Sequence, residues 1–132
     1  MANARIIYTD WADKKPKYGN RRVFDPRWGL FDSKLELGRR KALDLLERAG
    51  EIRFLGRQVT FQLQWDMQGK CIERYRVDFL YVDVHTGTGI VVAEDVKGAE
   101  TAKWKKVQKL WPKAYPNMEL RQWSRRRGIR RT

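Results

Sequence analysis

The chain is poor in the residues that staple or metallate small proteins. It has one cysteine, Cys71, so no internal disulfide can form, and a reducing cytoplasm is the expected compartment. Its one histidine, His85, lies in "VHTGTG" with no second His or Cys around it, and is read as an exposed turn residue. Cys71 has no companion histidine for a nucleophilic pair and is assigned to packing. No apolar run is long enough to span a bilayer, so no membrane partner is expected. The opening stretch, "MANARIIYTDWADKKPKYGNRR", lacks the apolar segment of a secretion signal. A Gly-rich phosphate loop is missing, which argues against a nucleotide-driven enzyme. No internal repeat is visible, and 132 residues suit one domain with one modest core.

Acids are the other scarce class. Lys and Arg number 29 against 16 Asp and Glu, a net charge of +13. Six of those positive charges fall in "RQWSRRRGIRRT", residues 121–132, which contains no acid, so residues 1–120 still carry +7. A surface of this kind attracts polyanions, nucleic acid above all.

The pattern divides into a basic, aperiodic arm (1–20), a folded domain (21–123) and an arginine-rich tail (124–132). "FDSKLELGRRKALDLLERAGEI" predicts a helix with Leu35, Arg39, Ala42, Leu46 and Ala49 on one face, capped by Asp32 or Ser33 and ended by Gly50. "RQVTFQLQW" alternates, with Val59, Phe61, Leu63 and Trp65 on one side, and predicts a half-buried strand. "CIERYRVDFLYVDV" predicts a second strand with Tyr75, Val77, Phe79 and Tyr81 on one face. After "HTGTG", "IVVAEDVK" predicts a third. "TAKWKKVQKLWPKAY" predicts a helix that turns Trp104, Val107, Trp111 and Ala114 inward, and "NMELRQW" a last short strand. The order is α-β-β-β-α-β. Arg125, Arg126, Arg127, Arg130 and Arg131 follow it with Ile129 as their one apolar neighbour, so the tail is expected to be mobile and to attract DNA without selecting it.

The third strand ends in charge where a buried strand should stay apolar. Side chains alternate along a strand, so Asp95 and Lys97 share one face while Glu94 and Val96 share the other. The "HTGTG" turn makes this strand an antiparallel neighbour of the second, which puts Asp78 roughly opposite Asp95. Two carboxylates that close repel unless a cation intervenes. Mg²⁺ takes oxygen ligands and is commonly held by one or two carboxylates together with substrate phosphate. A lysine beside it can orient or deprotonate a water. The plainer alternative is a simple Asp95–Lys97 ion pair. Glu36 completes "SKLE", a capping box with Ser33, and from the start of its helix could also reach a metal through water. Glu94, turned away from Asp95, needs a partner of its own, for which an arginine is expected.

These residues resemble the PD-(D/E)XK nuclease superfamily. "FDSKLE", "AGEI", "RQVTFQL", "DFLY", "EDVKG" and the later "YP", over residues 18–123, more narrowly resemble a phage-encoded family of small nuclease-like proteins. The resemblance implies a restriction-endonuclease-like α/β core, a central mixed sheet flanked by helices, and Mg²⁺-dependent phosphodiester hydrolysis in which Mn²⁺ substitutes. On that likeness the catalytic residues are Glu36, Asp78, Asp95 and Lys97, and the metal ligands are Asp78, Asp95, the peptide carbonyl of Val96 and Glu36. The motif's leading proline is replaced by Val77, and its second acid is Asp95 where Glu is common. The expected activity is a DNA endonuclease acting on branched or Holliday-junction DNA in phage recombination or replication. A homodimer in the cytoplasm of the host cell, phage- or prophage-encoded, goes with it. The alternatives are a general or nicking endonuclease and a non-catalytic DNA-binding protein on a nuclease scaffold. Lys105, Lys109 and Lys113, at i, i+4 and i+8 on the second helix, and Arg125, Arg126 and Arg127 are the candidate DNA contacts. Gln58 is a candidate support behind the site.

Overall fold

A computed structural model describes residues 6–8, 21–85, 89–97 and 101–132, the first three as backbone alone. The chain is α/β. A central mixed sheet carries a helix on each face, and a two-stranded sheet lies at the start. In chain order the elements are β1 (Ile6–Tyr8), β2 (Val23–Asp25), β3 (Gly29–Phe31), α1 (Lys34–Arg48), β4 (Ile52–Trp65), β5 (Cys71–Asp83), β6 (Ile90–Val96), α2 (Ala102–Ala114), β7 (Met118–Ser124) and β8 (Gly128–Arg131). The six-stranded sheet runs β1-β4-β5-β6-β7-β8. Every neighbouring pair is antiparallel except β6 and β7, whose parallel pairing is bridged by the α2 crossover.

The α-β-β-β-α-β order lies inside this longer one. Two additions were not foreseen. Asp25-Pro26 and Gly29 turn β2 back onto β3, with the Asp25 carboxylate accepting from the Arg27 amide at 2.8 Å and Gly29 at φ +89°. Ile6–Tyr8, placed in the arm, instead pairs with Val59–Phe61 at one edge of the sheet. The rest of the arm lies outside the described residues.

The expected mobile tail is a strand. Arg125–Arg127 form a three-residue turn, Gly128 takes φ +64°, and Gly128–Arg131 pair with Arg121–Ser124. The Ser124 hydroxyl accepts from the Arg127 amide, and Leu120 accepts from both the amide and the hydroxyl of Thr132. An edge strand needs backbone hydrogen bonds and one residue able to adopt φ > 0. It needs no apolar pattern, which is why composition alone suggested disorder.

Each face of the sheet buries its own core. On the α2 side Val59, Phe61, Leu63, Tyr75, Val77, Leu80, Ala93 and Leu120 pack on Trp104, Val107, Trp111 and Tyr115. On the α1 side Phe79, Tyr81, Val92 and Ile52 pack on Phe31, Leu37 and Leu43. The face expected for α1 is therefore rotated. Glu36, Leu37, Arg39, Arg40 and Leu43 are buried, while Leu35, Ala42 and Leu46 are half-buried and Ala49 is exposed. Arginine can line this face because its planar cation stacks on rings. The Arg40 guanidinium lies 3.7 Å from the Phe54 ring centroid and 4.4 Å from that of Trp28.

The predicted single face of the second strand also breaks. Tyr75 and Val77 point toward α2, Phe79 and Tyr81 toward α1. The reversal falls at Asp78. Across from it on β4, Gln58 sits at φ +55° between the pairs Arg57↔Phe79 and Val59↔Val77, and the register slips between Phe54 and Gly56. A residue in the left-handed region re-aims the strand there, as bulges do.

Candidate functional site

The β5–β6 register ends with Phe79 paired to Glu94, so Asp78 and Asp95 are the next residues of the two neighbouring strands. The Asp78 carboxylate reaches across and accepts from the Val96 amide at 2.8 Å. Its other oxygen accepts from the Gln58 amide nitrogen at 3.3 Å, which puts Gln58 behind the acid. Gln58 is buried, and its own Oε1 meets no donor among the described residues. A buried acceptor without a donor is costly and marks a place where a water or ion completes the structure.

Asp95 and Lys97 share the α2 side. Lys97 Nζ lies 2.5 Å from Asp95 Oδ2. The Tyr75 hydroxyl donates to that same oxygen at 2.5 Å and accepts from Lys97 at 2.6 Å. The Lys97 ammonium also stands 4.8 Å from the Trp104 ring centroid and 5.3 Å from that of Tyr75. An acid, a phenol and two ring faces thus surround one ammonium, and all of these side chains are buried. Tyr75 and Trp104 were assigned to the core from their periodicity, and core residues they are. Their polar role was missed, because nothing in local spacing shows that Tyr75 and Lys97, on different strands, meet.

Glu94 is a separate matter. Fully buried, it faces α1 and accepts from Arg39 Nε and Nη2 at 2.8 and 2.7 Å, and from the Tyr81 hydroxyl at 2.8 Å. Its arginine partner is Arg39. Burial works against the Arg39 cation, but the bonds and charge of Glu94 outweigh it and raise its pKa. Burial and the neighbouring Glu94 charge push the Tyr81 phenol well above its ordinary range. The network continues through Arg121, which bonds Asp83 and Glu119 at 2.9 Å each. Two adjacent acids on one strand thus serve two layers.

Glu36 is buried in the first turn of α1. Its amide donates to the Ser33 hydroxyl at 3.2 Å, so the helix start is capped as expected, but α1 covers the face opposite Asp95 and Lys97. Among the described residues no three His, Cys, Asp or Glu side chains stand close enough together to hold a metal ion.

The lysine row is exposed. Lys105, Lys109 and Lys113 make no ion pair among the described residues, whereas Lys103 and Lys106 both pair with Glu73. His85 is exposed in its turn, near Glu51. No helix among the described residues is long and apolar enough to cross a membrane.

The molecule is thus an α/β protein with a buried acid–lysine centre where β5, β6 and α2 meet. It belongs to the family described as "Protein of unknown function (DUF1064)", which matches residues 15–129. No curated protein and no solved structure matches the chain.

Proposed function

We propose that the protein is a metal-dependent DNA endonuclease of the restriction-endonuclease-like class, with Asp78, Asp95 and Lys97 at its centre. One observation carries the reading: an aspartate and a lysine two residues apart on β6 meet at 2.5 Å, beside an aspartate on the neighbouring strand, in a chain of charge +13.

The donors fit a hard divalent cation. Two carboxylates on adjacent strands, and the Gln58 Oε1, which meets no donor among the described residues, are oxygen ligands of the kind Mg²⁺ and Mn²⁺ take. Asp78, Asp95 and the Val96 carbonyl would hold the ion. Bound there, it would supply Lewis acidity toward a phosphoryl oxygen and a more acidic water.

The rest falls to the chain's own residues. Gln58 and the Val96 amide fix the Asp78 carboxylate. Tyr75 fixes both Asp95 and Lys97, so the ammonium is already oriented before substrate arrives. Lys97 orients the attacking water and balances charge that develops on the phosphate. Water adds to phosphorus in line as the O3′ bond breaks. The products are a 5′-phosphate and a 3′-hydroxyl, the latter taking up a proton.

Branched DNA, a Holliday junction included, is the substrate we favour within this class, acted on by a homodimer in the cytoplasm of the host cell. Its support is analogy with small basic nucleases. General or nicking cleavage of duplex DNA is the variant reading. A specific observation favours a different class: Asp95 and Lys97 are buried and pair directly, as a structural ion pair does in a non-catalytic DNA-binding protein.

Incubation of the protein and of Asp95→Asn with linear, nicked, flapped and four-way DNA, with Mg²⁺ or chelator, separates these readings. The wild type should cut in Mg²⁺ alone. Asp95→Asn should not cut, yet should bind DNA as well or better, because a negative charge is gone. A protein that binds every substrate and cuts none is the non-catalytic scaffold.

A further inference from the structure

We propose that the β7–β8 hairpin is a rigid backbone clamp for duplex nucleic acid, and that it sets which phosphate comes to rest at Asp95 and Lys97. The inference rests on the hydrolase reading for the second half of that statement and on charge and topology for the first.

The parallel pairing of β6 and β7 brings both strands out at the same end of the sheet. Asp95 pairs with Gln122, Val96 with Trp123, and the Lys97 amide donates to the Trp123 carbonyl at 2.9 Å. The turn Arg125–Arg127 begins two residues past Trp123, so it projects beside the end of β6 that carries Lys97.

The register also builds a row across this end of the sheet: Asp95 stands beside Gln122, and Gln122 opposite Arg130. Asp78 is tied to the same end through the Val96 amide. Directly paired residues share a face. Ala93 and Leu120 belong to the α2 side, so Asp95, Gln122 and Arg130 do too. Arg130 is exposed and lies two strand spacings from Asp95, about 10 Å.

Arg125, Arg126 and Arg127 are exposed and make no ion pair among the described residues. No acid occurs from residue 120 to 132 to neutralise them. The Ser124–Arg127 bond, the Gly128 conformation and the two Thr132 bonds to Leu120 hold the hairpin in shape. Cations on a fixed hairpin differ from cations on a loose tail. They hold phosphates at fixed offsets from the site, so they position as well as attract. Duplex nucleic acid is the occupant this argues for, because a two-stranded ribbon fits its groove and regularly spaced phosphates match fixed arginines.

The test uses the full chain and a labelled 30-base-pair duplex. Binding is followed by anisotropy against salt in chelator, and cut positions are mapped in Mg²⁺. The variants are Arg125→Gln/Arg126→Gln/Arg127→Gln, Arg130→Gln alone, and Arg53→Gln at the far end of the sheet. The triple variant should lower the slope of log affinity against log salt by about 3, Arg130→Gln by about 1, and Arg53→Gln by nothing. Cut positions should spread in the first two and stay fixed in the third. An unchanged slope in the first two overturns the clamp, and self-association of those variants would then assign the arginines to guarding an edge strand. Binding of the wild type to phosphatidylserine vesicles as tightly as to the duplex also overturns it. A chain that cuts nothing still tests the clamp through its slope. A chain that cuts with an unmoved slope keeps the hydrolase reading and loses the clamp.

Discussion

Replacing Arg39 with methionine should cost the protein a large part of its stability, although Arg39 touches none of the proposed reacting groups. Arg39 binds Glu94 through two hydrogen bonds at 2.7 and 2.8 Å, and Glu94 is fully buried. Methionine keeps much of the apolar stem and removes the cation, which stands 5.1 Å from the Trp123 ring centroid. The carboxylate is then left with the Tyr81 hydroxyl as its remaining partner from this network. Breaking a buried pair from one side costs about 3–5 kcal/mol, against a total of about 5–15 kcal/mol for a domain. At 132 residues the unfolding entropy is about 0.28 kcal/mol/K, so the melting temperature should fall by about 11–18 °C. Removing both partners, as in Arg39→Met/Glu94→Met, should recover most of that loss, because no charge is then stranded. Thermal and denaturant unfolding of the wild type, both single variants and the double variant gives the coupling directly. A drop under about 4 °C for Arg39→Met, or additive losses in the double variant, would refute the argument that this pair anchors β6 to α1.

Tyr75→Phe removes the hydroxyl that bridges Asp95 and Lys97, and should slow cleavage by about 10- to 100-fold with DNA affinity unchanged. A parallel loss of affinity would make Tyr75 a folding residue instead. Glu36→Gln keeps the helix cap, so both stability and cleavage at limiting Mg²⁺ should stay near wild type. A defect rescued by more Mg²⁺ would return Glu36 to the metal through water. Burial pushes the Tyr115 phenol up from 10.0 to about 12. The folded state therefore keeps this proton longer than the unfolded chain. Its contribution is whole below pH 10 and is lost as pH rises toward 12. Tyr115→Phe should flatten that stretch of the alkaline unfolding curve, and an unchanged curve would discount the shift.

The chemistry of the candidate centre was legible because strands alternate. Asp95 and Lys97 on one face, Glu94 on the other and Asp78 one strand away all follow from a period of two and one short turn. The two helices and the strands β4 to β7 were legible for a related reason: each carries a run of apolar residues at its own period. Where local pattern is thin, the fold departs from what periodicity predicts. The charged strand β8 carries no period. The helix α1 has apolar residues on more than one side, and its true face is chosen by stacked arginines.

The sequence by itself determined the charge, the order of the main elements and which side chains on β6 share a face, because these depend only on composition and nearest neighbours. Only the tertiary structure decided the rest. It chose Arg39 over the other arginines as the partner of Glu94, and brought Tyr75 and Trp104 to Lys97. It laid α1, whose first turn holds Glu36, on the opposite face of the sheet from α2, and it turned the arginine tail into an edge strand beside the site. Each of these joins residues far apart in the chain. Such meetings are set by sheet order, register and crossover, which no local periodicity encodes.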